Sequence, residues 1–418
     1  MLQNLIKTKT IKQTAIVLPA TILNGVLGML FFLIVARLLN PSDLGAFSVS
    51  VTVMALIASI ANASTDTGVI RFVGANINKD KQKALRFMKL ALEVKVITFL
   101  LILTIGWLVM PFVATTLLQK PELIVYLRLS LIGVGSAVLI SFASACLQAL
   151  QKFSSWGVIN ISANLLRLVV LLLLGATALA NIDNALLIYI AAPMLGFFLS
   201  MVFLPNFYAV SNETGLFKDF IQFNKWVTLF VIIAAVSSRL DTLIAARYLN
   251  LSQVGIYSVA VSLSAIGVQI VSSIATVIAP KLASFENNQK AIVYLKKLQF
   301  MVCILALAMF IGGAILGWVL IPSLYGQIFR ASVLPFLILL LAQAVFLIAV
   351  PVHTAVIYYF SYPKLFVVIN MTNLIFVLLA GIAVIPWAGV VGAACIVLLG
   401  NIISFLLPLI WVINKFRK

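Results

Sequence analysis

Arginines inside apolar segments are the residues of this chain best suited to do chemistry. Counting about 1.5 Å per residue from the predicted cytoplasmic end of each helix, Arg167 lies roughly 18 Å deep and Arg239 roughly 25 Å deep. A central arginine costs about 2.5 to 3.5 kcal/mol on insertion scales, so it requires a partner or a wet cavity. Guanidinium groups stay charged and bind phosphate oxygens in pairs. We therefore predict a cationic cavity that binds an anionic group near mid-membrane.

Five further basic residues are candidates for the same cavity. Arg37 and Arg247 lie near the predicted outer ends of helices one and seven, and Arg71 and Lys281 lie near the inner ends of helices two and eight. Arg128 lies one to two turns inside the outer end of the fourth helix. Snorkelling of the long side chains to the membrane surface explains the first four and part of the fifth. A cavity role and an interfacial role both remain open.

Two acidic residues and the single histidine are candidates for ion coupling or gating. Asp241 is two residues from Arg239, and side chains at this spacing do not face each other on a helix. It therefore needs a partner on another helix or a cavity, and it would either form an ion pair or take up H⁺ or Na⁺. Asp66 is predicted to cap or pair near the inner end of helix two. His353, beside Pro351, is predicted to pack between helices, with a proton route as the alternative.

Other polar residues within or near the spans have no predicted chemistry. Glu93 and Lys95 are expected at the cytoplasmic interface, early in the third helix. Cys146, Cys303 and Cys395 lie in apolar segments without the spacing of a metal or redox site. No metal and no cofactor is expected.

The composition requires membrane helices to position these residues. Hydrophobic residues are 64% and charged residues 9% of the 418 residues, against about 45–50% and 25% in soluble domains. Apolar runs near or above the roughly 20 residues that span a bilayer predict twelve helices. They lie at about 13–38, 45–71, 87–112, 122–149, 155–179, 184–205, 222–247, 253–280, 296–320, 331–358, 363–385 and 388–413. The predicted fold class is all-α and polytopic.

An internal repeat divides the chain. The sequence ARLLNPSDLGAFSVSV at 36–51 reappears as ARYLNLSQVGIYSVAV at 246–261, with nine identities at an offset of 210 residues. We predict an N-terminal lobe at 1–210 with helices one to six and a C-terminal lobe at 211–418 with helices seven to twelve. Because six spans return the chain to its starting side, the lobes would be related by a pseudo-two-fold axis along the membrane normal. A two-lobe transporter is the leading hypothesis.

The distribution of basic residues predicts the orientation. Lysine and arginine are concentrated in one set of loops, including both ends of the chain, while the other set has essentially Lys120 and Arg330. By the positive-inside rule both termini are cytoplasmic. Much of the net charge of +18 is therefore explained by topology, and nucleic-acid binding is not expected.

Several motifs resemble one family across nearly the whole chain. The repeated pattern A-R-x-L-N-x-S-x-x-G-x-[FY]-S-V resembles the polysaccharide transporters of the multidrug/oligosaccharidyl-lipid/polysaccharide exporter superfamily. The other matching segments are DTG at 66–68 with Arg71, LQALQKF at 147–153 and GVVGAA at 389–394. Related lipid II flippases usually carry two further C-terminal helices, whereas twelve are predicted here.

The resemblance implies a function. Such proteins are flippases that move an undecaprenyl-pyrophosphate-linked O-antigen or capsule repeat unit across the bacterial inner membrane, by alternating access through a cationic cavity between two six-helix bundles. Membrane lipids, a polysaccharide polymerase and a chain-length regulator are the implied partners. The GxxxxGK[ST] loop of P-loop ATPases does not occur in the sequence, so direct use of ATP is not expected. The energy would come from an H⁺ or Na⁺ gradient, the substrate gradient or downstream consumption.

Three alternatives remain. A passive scaffold within an envelope-assembly complex is one of them, but it would not explain isolated arginines at depth. A cation-coupled multidrug exporter of the same superfamily would favour buried carboxylates, whereas the deepest charges here are mostly arginines. A membrane-embedded polymerase or glycosyltransferase would need clustered acid and base residues, and the chain has one histidine and ten carboxylates, mostly in loops. An anionic substrate and a protein that is not an enzyme are preferred.

Overall fold

The computed structural model describes residues 9–62, 65–177, 179–211, 214–283, 287–362 and 364–417. These ranges contain helices and short helical turns and no strand, which confirms the predicted all-α class. The helices are α1 Lys9–Leu38, α2 Pro41–Asn62, α3 Thr65–Asn76, α4 Lys81–Phe112, α5 Ile124–Ala149, α6 Phe153–Ala176, α7 Ile182–Ser200, α8 Thr214–Ser237, α9 Leu240–Tyr248, α10 Leu251–Ala283, α11 Asn288–Leu320, α12 Val333–Thr354 and α13 Lys364–Arg417.

The described ranges contain nine helical stretches that are long and apolar enough to cross a membrane. The last of them, Lys364–Phe416, is 53 residues long and is interrupted at Gly389, where φ is 59° and ψ is −141°. A side chain would be strained in this conformation, which glycine adopts freely. The stretch is therefore two helices that meet at Gly389. With α8–α9 and α10 counted as one span each, the helices are consistent with the predicted twelve.

Prolines explain irregular turns in three of the long helices. A proline has no N–H group, so it leaves the carbonyl four residues earlier without its helical donor. The backbone adjusts next to such sites, often by a wider turn. π-helical turns follow or contain Pro111, Pro322 and Pro351, at Val113–Leu117, Ile321–Tyr325 and Ala355–Tyr359. Two carbonyls that lack a helical donor because of a proline, those of Trp107 and Ser404, accept hydrogen bonds from the side chains of Arg128 and His353.

The chain forms two compact units. The first comprises Met1–Leu39 and Val49–Ala235, and the second comprises Asn40–Ser48 and Val236–Lys418. Phe220, near the start of α8, is fully buried in the core of the first unit, against Phe72 and Phe87. This packing explains why the first unit extends beyond residue 210. The predicted lobe boundary between residues 210 and 211 stays a prediction.

Two equivalent glycines make a reciprocal contact within the second unit. Gly45 lies near the start of α2 and Gly255 near the start of α10, 210 residues apart. A Cβ on Gly45 would lie 1.9 Å from the carbonyl oxygen of Leu251, and a Cβ on Gly255 would lie 2.0 Å from that of Pro41. Pro41 and Leu251 are also equivalent in the repeat. Only glycine permits backbones to approach this closely.

Candidate functional site

A cavity of about 560 Å³ lies in the first unit. Residues from α2, α3, α5, α6, α7 and α8 contribute to its lining. Its walls combine a guanidinium group, a carboxylate, amides and hydroxyls with aliphatic side chains. The polar lining residues among those described are Ser59, Asn62, Asp66, Thr67, Asn160, Asn164, Arg167 and Tyr189. Such a mixture is suited to a ligand that is both charged and rich in hydroxyl groups.

Arg167 is the cation of this cavity. Its guanidinium lies 4.2 Å from the ring centre of Tyr189 on α7, and its Nη1 donates to Oδ1 of Asn164 at 3.1 Å. The amide of Asn164 donates in turn to the side-chain oxygen of Asn24 on α1. Within the described residues, the buried Nε of Arg167 has no hydrogen-bond partner. Asn164 and Tyr189 therefore hold the guanidinium in place at the wall of the cavity.

Spacing along α6 brings these groups to the cavity. Asn160, Asn164 and Arg167 follow each other at intervals of four and three residues, which places them on one face of a helix. Arg167 was predicted as a cavity residue from the sequence, whereas the two asparagines were not predicted as its neighbours. The helical period was the signal that would have found them.

Asp66 also lines the cavity, and its partner is Lys95. Nζ of Lys95 lies 2.6 Å from Oδ1 of Asp66 and 2.5 Å from Oδ1 of Asn62. The other carboxylate oxygen of Asp66 accepts a hydrogen bond from Ser141 on α5. Lys95 is fully buried, whereas the side chain of Asp66 is 26% exposed. The pair therefore presents its acidic side to the cavity and its basic side to the protein interior.

The expected interfacial position of Lys95 is wrong. Lys95 continues a stripe on α4 that begins with Ala84, Met88 and Ala91, and all four residues are 0% exposed. Their spacing is that of one helix face, so the register of the helix determines the position of the lysine. The spacing of Ala84, Met88 and Ala91 in the sequence already placed Lys95 on the same helix face. The sequence did not show that Asp66 lies beside Lys95, and a buried lysine without a counter-charge would be destabilising.

Three predicted cavity residues lie away from this lining. Arg37 and Arg71 are exposed, and the guanidinium of Arg71 lies 5.7 Å from the ring centre of Phe72. Arg128 packs on α4 instead, with its guanidinium 5.0 Å from the ring centre of Trp107. The side chain of Lys281 lies outside the described residues. A substrate contact for these four stays a prediction.

Arg239 and Asp241 lie at a helix break in the second unit. α8 ends at Ser237 and α9 begins at Leu240, so the depth predicted for Arg239 from an unbroken helix does not apply. Oδ2 of Asp241 accepts a 2.6 Å hydrogen bond from the hydroxyl of Tyr257, which is fully buried on α10. The carboxylate thus has a partner on another helix.

The last predicted arginine, Arg247, lies in the last turn of α9 in the second unit. Its guanidinium lies 5.5 Å from the ring centre of Tyr248. A role in substrate binding stays a prediction for this residue.

His353 compensates for a proline on the neighbouring helix. Its Nε2 lies 2.8 Å from the carbonyl oxygen of Ser404, and Pro408, four residues later, has no N–H group to bind that oxygen. The imidazole also makes edge contacts with Phe346 and Phe366. This geometry is that of a packed, hydrogen-bonded histidine.

We expect His353→Phe to lower stability and to preserve transport. The ring would still pack between its aromatic neighbours, but the Ser404 carbonyl would lose its donor, at a cost of about 1 to 3 kcal/mol. The melting temperature in detergent and a transport assay at several pH values would measure the two effects. Normal stability combined with abolished transport would instead support a proton route.

Solved structures identify the class of the fold. An inward-facing multidrug resistance MATE family transporter of the MOP superfamily matches with a TM-score of 0.75 and 13% identity over 94% of each chain. The lipid II flippase MurJ, in an inward closed conformation, matches with a TM-score of 0.74 and 13% identity over 95% of this chain and 88% of that one. A MOP superfamily transporter from Pyrococcus furiosus matches with a TM-score of 0.62 and 13% identity over 98% and 96%. The chain has the fold of these multi-pass membrane transporters.

A match to a protein-family model identifies the family of the chain. The model described as polysaccharide biosynthesis protein matches residues 34–334, more than half of the chain. The chain therefore belongs to this family. The predicted family resemblance is confirmed, and the family and the fold agree with a transporter rather than an enzyme. No curated protein sequence matched the chain.

Proposed function

We propose that this protein is a flippase that moves an undecaprenyl-pyrophosphate-linked oligosaccharide, an O-antigen or capsule repeat unit, across the bacterial inner membrane. The observation that carries the proposal is the charge of the cavity. The negative charge of Asp66 is neutralised by Lys95. The charge of Arg167 therefore makes the described lining of the cavity positive overall. A pyrophosphate is the matching group, because guanidinium binds phosphate oxygens with two parallel hydrogen bonds.

The rest of the lining fits sugars. The side-chain amides of Asn62, Asn160 and Asn164 line the cavity, and Tyr189 supplies an aromatic ring beside the arginine. Side-chain amides can both donate to and accept from hydroxyl groups, which an oligosaccharide presents in large number. The head group would occupy the cavity while the polyprenyl chain stays in lipid.

A cation-coupled multidrug exporter is the second candidate. The partly exposed carboxylate of Asp66 on the cavity favours it, because a cationic drug or a coupling ion needs such a group. The ion pair with Lys95 opposes it, because the same carboxylate already has a cation. Asp66 and Asp241 are the groups that would bind H⁺ or Na⁺ if an ion gradient drives transport.

The proposal includes a cellular setting. The protein would span the inner membrane with both termini in the cytoplasm, as the basic loops predict. A polysaccharide polymerase and a chain-length regulator would use the translocated repeat unit. No nucleic acid takes part.

We expect Arg167→Ala to reduce flipping about tenfold or more, and Arg167→Lys to retain part of the activity. A charge-assisted hydrogen bond contributes about 1.5 to 3 kcal/mol, and about 1.4 kcal/mol corresponds to a factor of ten. Lysine keeps the charge but loses the paired geometry. Lys79→Ala, which removes an exposed lysine from the turn between α3 and α4, is the matched control and should leave flipping unchanged. Membrane insertion must be normal in all three variants.

The measurement is mass spectrometry of undecaprenyl-linked glycans with leaflet accessibility, in source cells with and without the gene. Accumulation of a completed repeat unit on the cytoplasmic leaflet, relieved by the wild-type gene and not by Arg167→Ala, would support the proposal. Unchanged glycans together with increased sensitivity to cationic drugs would replace it with the exporter function. Wild-type flipping by Arg167→Ala would contradict the role of the cavity.

A further inference from the structure

We propose that a groove between α4 and α5 binds an anionic phospholipid, with its phosphate on Arg128 and an acyl chain along the groove. The groove has a volume of about 450 Å³ and is lined by Leu103, Thr104, Trp107, Leu108 and Ile132. It belongs to the first unit and shares no lining residue with the cavity that contains Arg167. The site is therefore separate from the proposed substrate cavity.

Pro111 explains why Arg128 is held in a fixed position beside the groove. Because Pro111 has no N–H group, the carbonyl of Trp107 lacks its helical donor, and Nε of Arg128 donates to that oxygen at 3.3 Å. The guanidinium also stacks over the indole of Trp107. In the described part of the chain, the two terminal nitrogens of Arg128 have no protein partner. They are held in position for a ligand that accepts two hydrogen bonds, such as a phosphodiester.

The direction of the groove matches that of a lipid. Arg128 is about 10 Å along the helix axis from Pro121, which begins the helical turn directly before α5. This distance is within reach of the headgroup region for an arginine side chain. Leu103 and Thr104 lie one turn deeper than Trp107 on α4, and Ile132 lies one turn deeper than Arg128 on α5. The hydroxyl of Thr104 is satisfied by the carbonyls of Leu100 and Leu101, so this residue presents no unmet polar group to a tail. The cationic end thus faces the interface and the apolar end faces the hydrocarbon.

The observations favour a phospholipid over other occupants. A second copy of the chain would need a contact of about 800 Å² per partner, and five lining residues supply much less. A zwitterionic headgroup would bring its own ammonium next to the guanidinium, so a net negative headgroup such as phosphatidylglycerol is preferred. The predicted orientation places the site in the outer leaflet.

The test is quenching of Trp107 fluorescence by brominated lipids in vesicles that contain the full-length protein. The chain has six tryptophans, so the signal of Trp107 is the difference between the wild type and Trp107→Phe. We expect brominated phosphatidylglycerol to quench this signal at about a tenfold lower mole fraction than brominated phosphatidylcholine, as expected for a charge-assisted bidentate contact. Arg128→Gln should abolish the preference. Arg330→Gln, which removes an exposed arginine from the turn before α12, should preserve it.

A second variant keeps the proposal testable if Arg128→Gln fails to fold. Thr104→Phe fills the groove and leaves Arg128 intact, and it should weaken quenching by the brominated tail. Equal quenching by both lipids in the wild type would overturn the proposal. Displacement of brominated phosphatidylglycerol by trace undecaprenyl phosphate would assign the groove to the polyprenyl substrate instead. Cross-linking of copies that carry Leu108→Cys, with loss of quenching, would assign it to a dimer contact.

Discussion

Lys95→Met is expected to leave little folded protein in the membrane. The substitution removes the cation of the ion pair between Lys95 and Asp66, in which the lysine is fully buried. Removing one member of a buried ion pair costs about 3 to 5 kcal/mol, because the other charge loses its compensation. Asp66→Asn should be at least as damaging, since it leaves the fully buried ammonium without a counter-charge. The melting temperature in detergent and the yield of monodisperse protein measure the effect.

The double variant identifies the cause. If the ion pair is what matters, Lys95→Met combined with Asp66→Asn should be more stable than either single variant, as a double-mutant cycle would show. Lys81→Met, which removes an exposed lysine from the first turn of the same helix, is the matched control and should change stability little. Strictly additive losses would mean that the two side chains act independently. Full stability of Asp66→Asn with loss of transport would assign the carboxylate to ion coupling.

Gly45→Ala is expected to destabilise the second unit through a single methyl group. The new Cβ would lie 1.9 Å from the backbone oxygen of Leu251, and a backbone atom cannot rotate away as a side chain can. The first turns of α2 and α10 must therefore separate, and overpacking of this kind typically costs about 1 to 3 kcal/mol. Gly255→Ala should have a similar effect, because its Cβ would meet the oxygen of Pro41 in the same way.

The chain offers controls for this prediction. Gly28→Ala in α1 has no atom within 4 Å of the added Cβ, and alanine is the better helix former by about 1 kcal/mol, so this variant should be neutral or stabilising. Combining Gly45→Ala with Gly255→Ala should cost less than the two separate losses added together, since either substitution already separates the helices. Thermal unfolding of the purified variants measures all of these effects. Wild-type stability of Gly45→Ala would show that the close contact does not form.

Much of the fold was predictable because it follows from composition and from the repeat. Helix positions follow from apolar runs, since only segments of that length satisfy their backbone groups across a bilayer. The irregular sites were harder to predict. The break around Arg239 occurs in an apolar run without a proline, so the sequence pattern predicted one continuous helix. A break was also expected near Gly389, but between residues 385 and 388, so the structure places it a few residues later, inside the predicted last helix.

The candidate site was predictable in part. Arg167 was identified because a guanidinium inside an apolar run has a high free-energy cost, and Asp66 because a carboxylate there has the same problem. Lys95 was assigned to the interface because its burial depends on a partner that is 29 residues away in the sequence. Arg128 was a candidate for the cavity, with snorkelling as the alternative, and the structure shows its Nε donating to the carbonyl of Trp107 on another helix, which lacks a helical donor because of Pro111.

The sequence by itself determined the membrane class, the duplication and the type of the chemical groups, because these depend on composition, period and charge. The tertiary structure decided which groups meet. It placed Arg167 beside Tyr189 and Asn164, paired Lys95 with Asp66, and turned Arg128 towards a separate apolar groove. The physical reason is that the apolar run sets only the length of a span, while the rotation of each helix about its axis is set by packing against neighbours that are distant in the chain.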